Sequence, residues 1–125
     1  MRMFALLVFA WLAIFPVKSE ELSTEFQVEL QSAMLQFTES ILVDGGYSYV
    51  DTKEGVLKTV YPANVHPFIV TMGDDYFVCS EMIDDAGKSI NADFLVRRID
   101  DQYKVVQLIM DNRQAVQGAI SKLGK

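Results

Sequence analysis

The sequence has one histidine, His66, and one cysteine, Cys79, the side chains most often used as a general base and as a thiol nucleophile. A hydrolytic site would set His66 as general base within hydrogen-bond reach of a nucleophile and of an orienting acid. No Gly-x-Ser-x-Gly elbow stands in the chain, and no second histidine follows. His66 therefore reads first as a turn or surface histidine, with a small hydrolase-like enzyme using His66 as the alternative. Cys79 has no partner for an intramolecular disulfide and reads as a small buried hydrophobe, which free cysteines commonly are. A catalytic thiol there would need His66 beside it. Zinc needs several histidines or cysteines at ligand spacing, and these are missing. Asp84-Asp85-Ala86-Gly87 offers oxygens to calcium but lacks the alternating ligands and the closing glutamate of an EF-hand loop. Gly45-Gly46 and Gly87-Lys88 lack the glycine-rich run of a phosphate loop. No catalytic residue, metal site or cofactor is expected from these motifs.

The aromatic residues are more suggestive of binding. Tyr47, Tyr49, Tyr61, Phe68, Tyr76 and Phe77 crowd the middle third of the chain. A tyrosine buries a large ring and keeps a polar tip, which suits pockets and interfaces. On a concave sheet, Tyr61, His66 and Tyr76 would rim the mouth. Arg97 or Arg98 would then pair with an acidic group on a ligand, because guanidinium matches carboxylate geometry. The competing reading makes the same aromatics the core of a small sheet.

The elements that must position these residues follow from periodicity. Leu22, Phe26, Leu30, Met34, Phe37 and Ile41 recur at helical spacing and predict a helix over Glu20–Val43. Thr24 and Gln27 fit a capping box at its start, and Asp44-Gly45-Gly46 supplies a C-terminal stop. The period then changes to two. Tyr47–Asp51 and Val56–Tyr61 form a hairpin around Thr52-Lys53-Glu54-Gly55. Pro62 to Pro67 is a connector, since each proline removes a ladder donor. Phe68–Met72 reads as a short strand or a helical turn. Asp75–Ile83, Asn91–Ile99 and Tyr103–Met110 read as three longer strands, antiparallel because short loops join them. The acid pairs Asp74-Asp75, Asp84-Asp85 and Asp100-Asp101 fall in turns, where aspartate bonds its own backbone. Gln114–Leu123 closes the chain as a short helix. The expected fold is α+β: a long N-terminal helix packed on a curved antiparallel sheet of about five strands, with a short C-terminal helix.

The first residues read as a secretory signal. Phe4 to Phe15 is an unbroken apolar run of twelve behind the positive charge of Arg2. Spanning a bilayer takes about 20 apolar residues, so the run reads as an h-region, with an uncleaved membrane anchor as the alternative. Pro16 and Val17-Lys18-Ser19 place cleavage after Ser19, leaving residues 20–125 as one domain with no stable membrane span. The 125 residues carry 11 basic and 17 acidic side chains, a net charge of −6. Loss of Arg2 and Lys18 takes this to about −8 and leaves no basic cluster. Such a surface disfavours nucleic acid and anionic membranes. An exported, acidic, disulfide-free small domain points to a bacterial periplasm or to secretion.

In the strands Asp75–Ile83 and Tyr103–Met110 both faces are mostly apolar. A sheet with one wet face should alternate more cleanly. A ten-residue helix is about 15 Å long and cannot cover the second face alone. A ligand, a periplasmic partner protein or a second copy in a homodimer would cover the remainder. The closing run Phe94-Leu95-Val96-Arg97-Arg98-Ile99-Asp100-Asp101-Gln102-Tyr103-Lys104-Val105-Val106 resembles the last hairpin of nuclear-transport-factor-2-like domains, in which an aromatic-Lys-aliphatic run opens the final strand. One long helix held by a curved sheet resembles the wider cystatin-like architecture. A Cache-type sensor domain, with a long helix, a tyrosine-rich hairpin and three closing strands, is the second resemblance. These imply a fold and a binding role and supply no site residues. The function expected is that of an exported small binding or accessory protein without catalytic activity, its ligand a small apolar or amphipathic molecule or a protein partner.

Overall fold

The computed structural model describes residues 22–63 and 67–123. The apolar leader, its cleavage point and His66 lie outside the described residues. Helix α1 spans Thr24–Ile41. Its N-cap is Ser23, in extended conformation, whose hydroxyl accepts from the Phe26 amide at 3.1 Å. The cap therefore lies one residue before Thr24 and the expected capping box does not form: the third residue after Ser23 is Phe26, and the Gln27 side chain donates to the Leu22 carbonyl at 2.8 Å instead. Leu30, Met34 and Thr38, four residues apart, are the buried stripe, with Phe26, Ala33 and Phe37 packed beside it. The glycines that follow do not cap this helix. Leu42 is already extended. Val43 and Gly46 exchange hydrogen bonds of 2.8 and 3.0 Å around Asp44 and Gly45, both at positive φ. This tight two-residue turn favours Asn/Asp-Gly because both central residues must be left-handed.

Six strands follow, β1 (Tyr47–Asp51), β2 (Val56–Pro62), β3 (Phe68–Met72), β4 (Asp75–Asp84), β5 (Ser89–Ile99) and β6 (Gln102–Met110), and then helix α2 (Arg113–Leu123). Phe68–Met72 is a strand and raises the expected count of about five. All pairings are antiparallel in the order β1-β2-β4-β5-β6, with β3 also on β4. A bulge opposite Leu95/Val96 leaves Val106 of β6 outside the ladder. Bulges bend a strand and increase its twist, and the sheet here curls until it is nearly closed. Lys53 Nζ, on the β1–β2 turn, reaches the Asp111 carbonyl just beyond β6 at 3.0 Å.

The two helices lie on opposite faces. Leu30 and Met34 of α1 pack with Val60, Val78, Met82, Ile90, Ala92, Phe94 and Val96. Val116 of α2, with Ala119 and Ile120, packs on Met72, Phe77, Cys79, Leu95 and Ile109. Alternation along β4 and β5 sends these two sets to opposite sides. The apolar character of both strand faces therefore has a direct cause: β4 and β5 are sandwiched. On the second face α2 covers only part of the sheet. Val50 and Leu57, opposite each other on β1 and β2, remain 62% and 70% exposed.

A buried ion pair holds α2 in place. Asp93 of β5 is fully buried, and Arg113 in the first turn of α2 grips it with two bonds, Nη2 to Oδ1 at 2.7 Å and Nε to Oδ2 at 3.1 Å. Removing one partner of such a pair leaves an uncompensated buried charge. Arg113→Met is expected to cost about 3–5 kcal/mol in urea unfolding, and Asp93→Asn on top of it to recover part of the loss.

The β1–β2 turn is built on Asp51. Its Oδ1 accepts from the Lys53 and Glu54 amides, and its Oδ2 lies 2.7 Å from Lys58 Nζ. The Lys58 ammonium, aided by the two amides, lowers the Asp51 carboxyl from 3.8 to about 2. A carboxyl lowered on folding contributes stability that is complete above its unfolded value and lost as pH falls through its folded value. Asp51→Asn is therefore expected to lower the Tm at neutral pH. The gap to the unsubstituted protein should shrink below about pH 4 and close near pH 2 in a series of thermal melts.

Candidate ligand cleft

The cleft arises from the edge of β4. β5 occupies one edge of β4 along its length, and β2 and β3 share the other. β2 pairs with Met82–Asp84 and β3 with Asp75–Cys79. Among the described residues Ser80 and Glu81 have no strand partner on that side. The cause is the connector between Pro62 and Pro67, which interrupts what would otherwise be one continuous neighbour. The Ser80 carbonyl instead accepts from Arg113 Nη2 at 3.2 Å.

Above this gap passes the C-terminal half of α1. Between helix and gap lies a cavity of about 270 Å³. Met34, Leu35, Met82 and Phe94 make its apolar walls, and Pro62, Ala63 and Pro67 its side. Gln31, Thr38, Ser80 and Glu81 are its polar residues. Its volume is just below the range of small-molecule pockets, about 300–1,000 Å³. The Thr38 hydroxyl is already committed, donating to the Met34 carbonyl at 2.9 Å, so it places no unmet donor in the cleft. Such a cavity suits the apolar end of a small molecule, with polar groups at the rim.

Of the four residues expected to form a mouth, the three that are described do not share one. Tyr76 belongs to the α1 face, where its ring meets Phe26 edge-on at 5.2 Å and Tyr103 at 6.1 Å. Tyr61 stands opposite Ile83 of β4, and Arg97 bonds Asp75 one residue beyond the Tyr76–Val96 pair. Both β4 positions are an odd number of residues from Tyr76, so alternation puts Tyr61 and Arg97 on the other face. They are also separated from each other by eight residues of β4, about 26 Å of strand. The Arg97 guanidinium is engaged within the protein, by two bonds of 3.0 and 2.8 Å to the Asp75 carboxylate. Tyr61 bonds Asp85, which raises its hydroxyl pKa. His66 is outside the described residues.

Sequence reasoning passed over Gln31, Leu35, Ala63 and Ser80. The one signal that could have found the cleft is the Pro62/Pro67 doublet between two strands that both pair with β4. Tyr61, Ile83, Val50 and Leu57 instead form an exposed apolar patch on the half of the second face beyond α2. A homodimer of the kind expected from the strand pattern would rest on this patch.

Cys79 is 3% exposed beneath α2 and sits beside Asp93. Burial first, and then the Asp93 charge, push its thiol up to about 12. The thiolate is the reactive form, so this sulfur is chemically quiet near neutral pH. Among the described residues no group of three histidine, cysteine or acidic side chains is arranged to hold a metal ion. No described helix is long and apolar enough to cross a membrane. The folded protein is expected to leave Cys79 unmodified by a disulfide-exchange reagent over the time in which the guanidinium-unfolded chain reacts fully. Absorbance of the released thiol measures both. No known protein family, curated protein or solved structure matches the chain.

Proposed function

We propose that this chain is an exported, non-catalytic binding protein whose cleft takes the apolar end of a small amphipathic molecule. The observation that carries the reading is the cavity of about 270 Å³ between α1 and the unpaired Ser80–Glu81 edge of β4. β4 and β5 are packed between the two helices over most of their length, so an apolar hollow at the strand gap is a place for a guest. Apolar pockets with a few convergent polar groups are the usual form of small-molecule sites. Export is supported by the twelve-residue apolar run behind Arg2 and the acidic remainder of the chain. The cystatin-like resemblance, one long helix against a curved sheet, agrees with a binding role.

The test is a neutral apolar fluorophore, N-phenyl-1-naphthylamine, titrated into the protein. Saturable fluorescence enhancement is expected. Ala63→Trp, which places an indole in the cleft wall, is expected to weaken binding at least about tenfold, the effect of losing roughly 1.4 kcal/mol. Enhancement that is absent, or equally strong in Ala63→Trp, would overturn the reading.

A further inference from the structure

We infer that the space between β1 and β6 takes an extended segment of another polypeptide, which lies as a strand between these two edges. The site is separate from the cleft beneath α1. β1 and β6 end the path β1-β2-β4-β5-β6, and among the described residues no strand pairs with the outer edge of either. The two edges face each other across a cavity of about 450 Å³, lined by Tyr47, Tyr49 and Val50 on one side and Leu108, Ile109 and Met110 on the other. The bond from Lys53 Nζ to the Asp111 carbonyl spans one end of it.

The backbone fixes what each edge presents. Gly46 exchanges two backbone bonds with Val43, on the side away from β2. N–H and C=O groups alternate sides along a strand, so those of Ser48 and Val50 also point away from β2. On β6 the Asp111 amide donates to the Asn91 carbonyl of β5. By the same alternation Ile109 faces β5, and Leu108 and Met110 turn their backbone groups outward. Two residues on each wall thus offer donors and acceptors at strand spacing, the template on which a further strand pairs.

Direction decides what fits. Every pairing along the path is antiparallel, and with an odd number of strands β1 and β6 run the same way. Direct closure would make a parallel pair. A guest strand running the opposite way is antiparallel to both walls and bonds both at once, the strand-addition mode of peptide recognition. Its side chains alternate. Those turned to the α1 face meet the Tyr47 and Tyr49 rings, stacked at 5.8 Å, and Leu108 and Met110. Those turned outward lie beside Val50, which is 62% exposed. The guest is therefore an apolar segment matching the five residues of β1, about 17 Å of strand.

The probe is a fluorescein-labelled heptapeptide of alternating valine and threonine, titrated with the protein and followed by fluorescence anisotropy. Saturable binding is expected. N-methylation of every second residue removes the donors that face one wall, and is expected to weaken binding at least about tenfold. At saturating peptide, hydrogen exchange of the Ser48, Val50, Leu108 and Met110 amides is expected to slow at least about tenfold, while the Tyr47 and Tyr49 amides, which face β2, change little. Absent binding, equal binding of the N-methylated peptide, or slowed exchange that misses these four amides overturns the proposal. Slowing of the same amides without peptide, as protein concentration rises, gives the space to a second copy and also overturns it.

Discussion

The fully buried carboxylate of Asp93 is the constraint around which the second face of the sheet is arranged. A charge with no solvent contact must be met inside the protein. Arg113 meets it with two directed bonds, and because Arg113 opens α2, the helix is held against β5 in one position. From that position Val116, Ala119 and Ile120 cover Phe77, Cys79 and Leu95. The Phe68 ring, 5.5 Å from the guanidinium carbon, joins β3 to the same cluster. The same guanidinium reaches the Ser80 carbonyl, so the anchor of α2 is also the support of the cleft floor.

That link ties the two faces together. β4 is the strand through which everything passes: α1 packs on Val78 and Met82, α2 on Phe77 and Cys79, and both β2 and β3 dock on one edge. Two strands cannot share an edge without a junction. The junction falls at Ser80–Glu81, where no described strand pairs on that edge and the Ser80 carbonyl accepts from Arg113 instead. Close packing leaves few voids in an interior of this size, so a cavity at the junction reflects the topology rather than loose packing.

Much of the fold was legible in the residues. The stripe Phe26, Leu30, Met34 and Phe37 marked α1 because a helix buries every third or fourth side chain. The apolar character of both faces of β4 correctly signalled cover on each side. The turn residues placed the hairpins, with Asp100 and Asp101 both at positive φ between β5 and β6. The site was legible only in part. Tyr61, Tyr76 and Arg97 were grouped by residue type, but register placed them on different faces, and Arg97 was taken by Asp75. Residue type states what a side chain can bond, and register decides whether it is free to do so.

The sequence by itself determined the local structure: where helix and strand periods begin, where prolines and glycines interrupt them, and the acidic balance of the surface. Those properties depend on residues a few positions apart, and nearest-neighbour sterics and hydrogen bonding are written directly in the chain. Only the tertiary structure decided that β2 and β3 share an edge of β4, that Asp93 meets Arg113 twenty residues on, and that a hollow opens beneath α1. These depend on which distant segments pair, and pairing is set by the simultaneous burial of all the apolar faces, a condition that no single segment carries.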